Sequence, residues 1–344
     1  MSHPGEFDCS QEVWSPVLNR IGNSATVLAV LKRLGQVIVV LVGVTFMTFA
    51  LMNLLPGGAA IALAGPNATE ERINQIRLEL HLNEPFLTRY WHWLSRAATG
   101  NFGNSLSSGQ PVSHALASRI PVTVELVILA LAVALLLAVP IAILGASRPN
   151  GIFDRFATYL SVAGLAMPNF VFGLVLILIF AVRLHWLPAL GYVPLSQSVP
   201  KNLRSMILPV AALALPLFAT FLRVLRADLI DQMYGQDYIV TARAKGLSGR
   251  RILTVHALRN SLFSLITLVG LNLGVLMGGT VLIEEIFGVP GVGQAMITAI
   301  SLQDVTTAEA VVVIIALAVV VTSLMTDLTY AFLDPRVRHG SDSR

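Results

Sequence analysis

The sequence predicts an all-α protein that crosses a membrane several times. Hydrophobic residues make up 55% of its 344 residues and charged residues only 12%, with a mean hydropathy of +0.74. Soluble domains carry about 25% charged residues. Uncharged runs that match the roughly 20 residues of a membrane-spanning helix recur along the chain. We therefore predict a polytopic membrane protein with six transmembrane helices.

Each predicted span is an apolar run without a charged residue. The first run, 34–55, is too long for a secretory signal and is not followed by a small-residue cleavage site. The remaining runs are 126–147, 156–182, 205–222, 261–283 and 310–326. An even number of spans places both termini on the same side of the membrane.

The distribution of Lys and Arg predicts the orientation of the spans. Segment 236–260 is rich in cations, whereas segment 284–309, on the opposite side, holds four acids and no cation. Because cationic loops stay in the cytoplasm, we place both termini there. The predicted units are a cytoplasmic tail at 1–33, a transmembrane domain at 34–332 and a second cytoplasmic tail at 333–344.

Two loops of the transmembrane domain are long. The external loop 56–120 is expected to hold a helix from Thr69 to about residue 82 and another from Pro85 to about residue 96. Tyr90, Trp91 and Trp93 in the second helix indicate an anchor at the membrane interface. The second long loop is the cytoplasmic loop 226–260.

Cys9, the single cysteine, cannot form an internal disulfide.

The basic stretch 236–260 is predicted to form a helical hairpin. Gly246 suits the left-handed position after a first helix, and Ser248 can cap the next one. Exposed cations such as Arg250 and Arg251 could meet either a protein partner or lipid headgroups.

The absence of ionisable residues in the spans and of catalytic motifs argues against several classes of function. No ionisable residue lies within the six spans, which disfavours a proton-coupled carrier or a self-contained channel. Glu125 and Asp327 lie at the rims and are expected to be solvated or paired. The chain has no P-loop, no catalytic cluster and no histidines at metal-ligand spacing, so neither ATP hydrolysis nor metal catalysis by this chain is predicted. The modest net charge of +4 is attributed to topology rather than to nucleic acid.

Helix-bending, polar and small residues mark possible walls of a path. Met167, Pro168 and Asn169 interrupt the third span, and Asn272 lies in the fifth. Asn272 predicts that the fifth span is central in the bundle, because an amide facing lipid is costly. Two sets of small residues are assigned to structure. Gly270, Gly274 and Gly278 are predicted to pack against another helix, and Gly288, Pro290 and Gly291 to form an external turn.

Motifs in one consistent order resemble the permeases of binding-protein-dependent ABC importers, in the dipeptide, oligopeptide and nickel branch. The similarity covers roughly residues 28–338, and its long first external loop is similar to that of the B-type subunit. The motifs lie at residues 54–57, 118–123, 167–170, 186–188, 238–247, 256–260, 284–293, 327–330 and 333–336.

The resemblance implies a type I permease fold in a bacterial plasma (inner) membrane and a function as one half of an import path. It implies a second permease, two ATPase subunits that use ATP and Mg, and an extracytoplasmic binding protein as partners, with no cofactor on this chain. It also assigns 238–247 as the helix that couples to the ATPase, through Tyr238, Thr241, Ala242, Arg243, Ala244, Lys245, Gly246 and Leu247.

Departures from the family pattern leave some points open. Only Ala242 and Gly246 match the broad ABC permease motif, and Gly58-Ala59 replaces the usual Asp-Pro after the first span. Short peptides are the expected cargo, with nickel, glutathione and haem as alternatives.

Overall fold

The computed structural model describes residues 24–53, 69–71, 74 and 84–333, with side chains at 35–52, 69–71, 74 and 84–326. The tail that holds Cys9, most of the helix predicted after Thr69, and the tail beyond Leu333 lie outside the described residues, as does the side chain of Asp327.

The described residues are mainly helical, and no strand lies among them. The α-helices are α1 Ser24–Asn53, α2 Phe86–Ala98, α3 Val112–Ser147, α4 Ile152–Ala166, α5 Asn169–Leu176, α6 Val199–Gly235, α7 Asp237–Ala244, α8 Gly249–Arg251, α9 Leu258–Gly279, α10 Val281–Phe287, α11 Val292–Ser301 and α12 Val305–Leu333. Two π-helices continue these α-helices: Ile177–Arg183 extends α5, and Ile252–Ala257 joins α8 to α9. An isolated bridge between Asn104 and Pro111 closes a loop before α3.

Within the described residues, five stretches are long and apolar enough to cross a membrane: α1, α3, α6, α12 and the continuous segment Gly249–Gly279. Two further pairs pass the same test but are sharply bent, α4 with α5 by 99° and α10 with α11 by 81°. The predicted class, an all-α polytopic membrane protein, is confirmed. The third predicted span was expected to be one bent helix, but it consists of two helices nearly at right angles.

The helices are longer than the apolar runs that predicted them. α1 begins at Ser24, inside the predicted tail, and α3 begins at Val112, inside the predicted external loop. α6 extends to Gly235, so the predicted cytoplasmic loop begins as helix. The physical reason is that an apolar run marks the hydrocarbon core, whereas a helix can continue beyond it into the polar region.

The core of the bundle lies between α3 and α6. Buried alanines recur on α3 at every fourth position, which puts small side chains on one face of that helix and lets α6 approach closely. In the most apolar 18-residue stretch of each span, 72% of the residues of α6 are buried but only 17% of those of Gly249–Gly279. The prediction that the fifth span is central is therefore wrong within this chain. The alanines are Ala130, Ala134, Ala138, Ala142 and Ala146.

α2 packs on α1 rather than only resting at the membrane interface. Tyr90 and Trp93 are buried against Phe49. The Tyr90 hydroxyl lies 2.8 Å from Thr45 Oγ1, between two helices far apart in sequence. Only Trp91, which is 68% exposed, remains available as the aromatic anchor that the sequence predicts.

Candidate functional site

The basic stretch folds into the expected hairpin between α6 and α9. α7 ends at Ala244, and Gly246 takes a left-handed φ of +78°. The amide of Leu247 donates to the carbonyl of Ala242 at 3.2 Å, which reverses the chain. The predicted break at Gly246 is confirmed. Ser248 occupies the N-cap position of α8, but its side chain makes no capping hydrogen bond.

The inner face of the hairpin joins the core of the bundle. Ile239 and Ile252 are almost completely buried, and Ala242 is 7% exposed. Leu247 packs against the same cluster. Ala242 and Leu247, two of the predicted coupling residues, therefore contact their own chain and hold the hairpin in place.

Polar contacts fasten α7 to both neighbouring helices. The guanidinium of Arg243 donates to the carbonyl of Met233 at 2.9 Å, near the end of α6. The Tyr238 hydroxyl donates to Gln232 Oε1 at 2.7 Å and accepts a hydrogen bond from Asn260 Nδ2, on α9, at 2.9 Å. A displacement of the hairpin must therefore act on α6 and α9.

The outer face of the hairpin is small and cationic. Thr241, Ala244 and Lys245 are exposed, and no atom lies within 4 Å of the position that a Gly246 Cβ would take. Arg250 and Arg251 are exposed next to them. A partner protein can therefore approach the backbone of this turn closely and contact positive charges beside it.

The bend between α4 and α5 lies at the predicted path residues. Met167 is extended and 40% exposed, and Pro168 occupies the N-cap position of α5. Asn169 is half-buried, and its Oδ1 accepts the amide of Phe170 at 2.8 Å. The three residues form an interruption in the third predicted span, with the amide group engaged locally.

Asn272 and the glycines of α9 lie in different surroundings. Asn272 Nδ2 donates to the carbonyl of Leu268 one turn earlier, so its own helix accepts one hydrogen bond from the amide. A side chain at Gly270 would collide with Thr326 on α12, and Gly274 lies beside Val319 and Thr322 of the same helix. Gly278 has no neighbouring atom within 4 Å and makes no close helix contact within the described chain.

The glycine-rich turn encloses a buried carboxylate that the sequence did not single out. Gly288 is left-handed with φ +62°, and Gly291 is the N-cap of α11. Glu284 is completely buried, and it accepts hydrogen bonds from Thr123 Oγ1 at 2.8 Å and from the amide of Gln294 at 3.0 Å. Pro290, between the two glycines, is half-buried. The predicted external turn is thus locked onto α3.

A second network lies at the same end of α3. Glu125 accepts hydrogen bonds from the Tyr192 hydroxyl and from Asn202 Nδ2, each at 2.7 Å. Burial, together with the hydrogen bond to Glu125, raises the pKa of Tyr192 to about 12. Glu125 is therefore paired by hydrogen bonds with two polar side chains, which is one of the two surroundings expected for it.

At the opposite end of α3, an ion pair joins the buried Asp154 on α4 to the partly exposed Arg226 on α6. The sequence did not indicate this pair, because both residues read as ordinary charges flanking apolar runs. Among the described residues, no group of three or more His, Cys, Asp or Glu is placed to hold a metal ion.

Family profiles match most of the chain. The profile described as "Binding-protein-dependent transport system inner membrane component" matches residues 138–339, and the profile for the N-terminal part of such membrane components matches residues 27–127. The chain belongs to this family. Its location in the inner membrane, predicted from the resemblance, is confirmed.

Curated relatives of this inner membrane component are similar over nearly their whole length. A putative peptide transport system permease protein of Brucella abortus is 37% identical over 310 residues, which is 90% of this chain and 98% of the relative. The oligopeptide transport system permease protein AppB of Bacillus subtilis is 35% identical, with coverages of 90% and 99%. The glutathione transport system permease protein GsiC of Escherichia coli K12 is 33% identical, with coverages of 90% and 98%. The predicted membership of the ABC importer permeases is confirmed.

Proposed function

We propose that this chain is one permease subunit of an ATP-driven importer for short peptides. It forms the translocation path together with a second, similar permease, and an extracytoplasmic binding protein delivers the peptide. Two separate ATPase subunits use ATP and Mg, and this chain binds no cofactor and performs no covalent chemistry. Relatives named for peptide and oligopeptide transport support the substrate class.

The observation that carries the proposal is the two-sided hairpin. Its inner face is held in the core by Ile239 and Ile252, and its outer face exposes Ala244, Lys245 and Gly246. A partner can approach such a surface closely, and acidic groups on that partner can pair with its cations. The hairpin is therefore suited to enter a cleft of an ATPase subunit and to pass the movement of that subunit to the helices.

Glutathione is the second candidate for the cargo, because the relative GsiC is named for its transport. Glutathione is itself a short peptide, so both candidates share an amide backbone and terminal charges. Uptake of radiolabelled dialanine and of radiolabelled glutathione by cells that express the complete transporter separates the two.

Gly246→Trp tests the docking role of the hairpin. The indole would fill the open space in front of Gly246, and the left-handed φ of +78° would be strained by any large side chain. We expect loss of co-purification with the ATPase subunits and loss of uptake, with membrane insertion preserved. Gly246→Asn is the matched control, because asparagine tolerates the left-handed region and is much smaller. Normal uptake by the Trp variant would contradict the proposal.

A further inference from the structure

The partly buried ion pair between Asp154 and Arg226 links α4 and α6, two helices that the hairpin could move together. The Asp154 side chain is 5% exposed and that of Arg226 is 22% exposed. One carboxylate oxygen, Oδ1, accepts from Arg226 Nε, and the other, Oδ2, accepts from the amide of Asn150 at 2.8 Å. Both oxygens of the carboxylate are thus engaged. Removing Arg226 would leave the buried carboxylate of Asp154 without its cation, so the pair resists separation.

Three helices meet tightly at this ion pair. A Cβ on Gly145, near the end of α3, would lie 3.4 Å from the Ala157 Cβ and 3.6 Å from the Arg226 Cδ. Asn150, in the turn from α3 to α4, has a left-handed φ of +64°. Asp154 therefore holds this turn and Arg226 at the same time, with little free volume around it.

Arg226 lies on the same unbroken helix as the contacts that hold the hairpin. Met233, which accepts the hydrogen bond from Arg243, is two turns further along α6, or about 10 Å at the rise of a helix. The neighbours of Arg226 on α6 are fully packed, since Leu222, Leu225 and Leu229 are at most 1% exposed. A helix held in this way transmits a displacement of the hairpin to Arg226.

Asp154 lies on the helix that leads to the bend at Met167 and Pro168. Near its far end, α4 touches α6 again at Gly164, where a Cβ would be 2.8 Å from the Ala219 Cβ. That second contact is apolar, whereas the ion pair is a charge-assisted hydrogen bond with a preferred geometry. The ion pair is thus the directional contact that makes α4 follow α6.

We propose that Asp154 and Arg226 are positioning residues for transport, which make α4 follow α6 when the hairpin moves and so carry the movement to the bend at Met167–Pro168. The inference rests on the proposed function of the hairpin. It adds the route by which movement of the hairpin reaches the bend at Met167–Pro168 in the third span.

The test follows the position of α4 in the assembled transporter. Spin labels are attached in a Cys9→Ser background at Tyr159→Cys, on α4, and at Ile300→Cys, on α11, which are 73% and 57% exposed. The distance between the labels is measured without nucleotide and after vanadate trapping, which requires no knowledge of the cargo. We expect a shift with trapping in the parent protein, and loss of that shift in Asp154→Asn although nucleotide is still trapped.

Matched variants separate this role from simple folding. Arg155→Gln removes a charge from the same turn of α4 at an exposed position, and it is expected to keep the shift. The exchange Asp154→Arg with Arg226→Asp is expected to restore the shift at least in part. A shift retained in Asp154→Asn, or no shift in a parent protein that traps nucleotide, would overturn the inference. A parent protein that never assembles with ATPase subunits would instead refute the proposed function.

Discussion

Replacing Glu284 by alanine is expected to destabilise the end of the bundle where α3 meets the glycine-rich turn. The carboxylate is completely buried, and it is the acceptor for the hydroxyl of Thr123 and the amide of Gln294. Thr123 in turn accepts the amide of Val292 at 2.8 Å, so a single side chain organises the start of α11. The loss of Glu284 would leave two buried donors without their acceptor.

The magnitude follows from these two donors. A buried donor left unsatisfied costs about 1–3 kcal/mol, so the alanine variant should lose about 2–6 kcal/mol of stability. Gly291 and Gly293 lie next to the carboxylate and have no side chain that could fill the space left by its removal. Glu284→Gln should lose less, because its amide oxygen can still accept one of the two hydrogen bonds.

The assay is the fraction of detergent-purified protein that stays monodisperse on size exclusion after heating. Glu285→Ala is the matched control, since it removes an exposed carboxylate from the adjacent position. We expect the order of stability to be parent and Glu285→Ala, then Glu284→Gln, then Glu284→Ala. Equal stability of the two alanine variants would show that the buried hydrogen bonds do not hold the turn.

Two further predictions concern α2 and the turn before α12. Tyr90→Phe should cost about 1 kcal/mol of stability, because it removes the hydroxyl that contacts Thr45 and donates to the carbonyl of Val42 at 3.1 Å. It should therefore leave less monodisperse protein in the same heating assay, whereas Trp91→Phe, at an exposed site, should leave the result unchanged; equal losses would contradict the packing of α2. Asp304 is buried, which opposes ionisation, but hydrogen bonds from Ser105, Leu106 and Thr307 outweigh burial and lower the pKa of Asp304. Its contribution to stability is therefore fully present above the ordinary value of about 3.9 and is lost as the pH falls through the lower folded value. Asp304→Asn should be less stable than the parent at pH 7, and the difference should shrink below about pH 4; a gap that stays constant with pH would refute this account.

Local chemistry explains which parts of the candidate site could be predicted. The break at Gly246 follows from a property of one residue, the ease with which glycine adopts a positive φ. The bend at Pro168 follows from the missing amide hydrogen of proline, although its angle of 99° does not. The basic charge of the hairpin is likewise visible in its composition.

Long-range contacts explain what was missed. Glu284 and Thr123 are 161 positions apart, and Asp154 and Arg226 are 72 apart. In the sequence Glu284, Asp154 and Arg226 read as charges flanking apolar runs and Thr123 as an ordinary polar residue, and no local pattern pairs them. Asn272 misled the prediction for the opposite reason, because its own helix accepts one hydrogen bond from an amide that was expected to need a neighbouring helix.

The sequence by itself determined that the chain is a bundle of membrane helices and which permease family it resembles. The spans could be predicted because the thickness of the hydrocarbon core and the need to satisfy every backbone hydrogen bond act on each segment separately. The family resemblance rests on short sequence motifs. The tertiary structure alone decided that α6 is the central helix and that Ala242 faces inward while Ala244 faces outward. Those outcomes depend on which distant surfaces pack together, since burial is a property of the assembled bundle and not of any single helix.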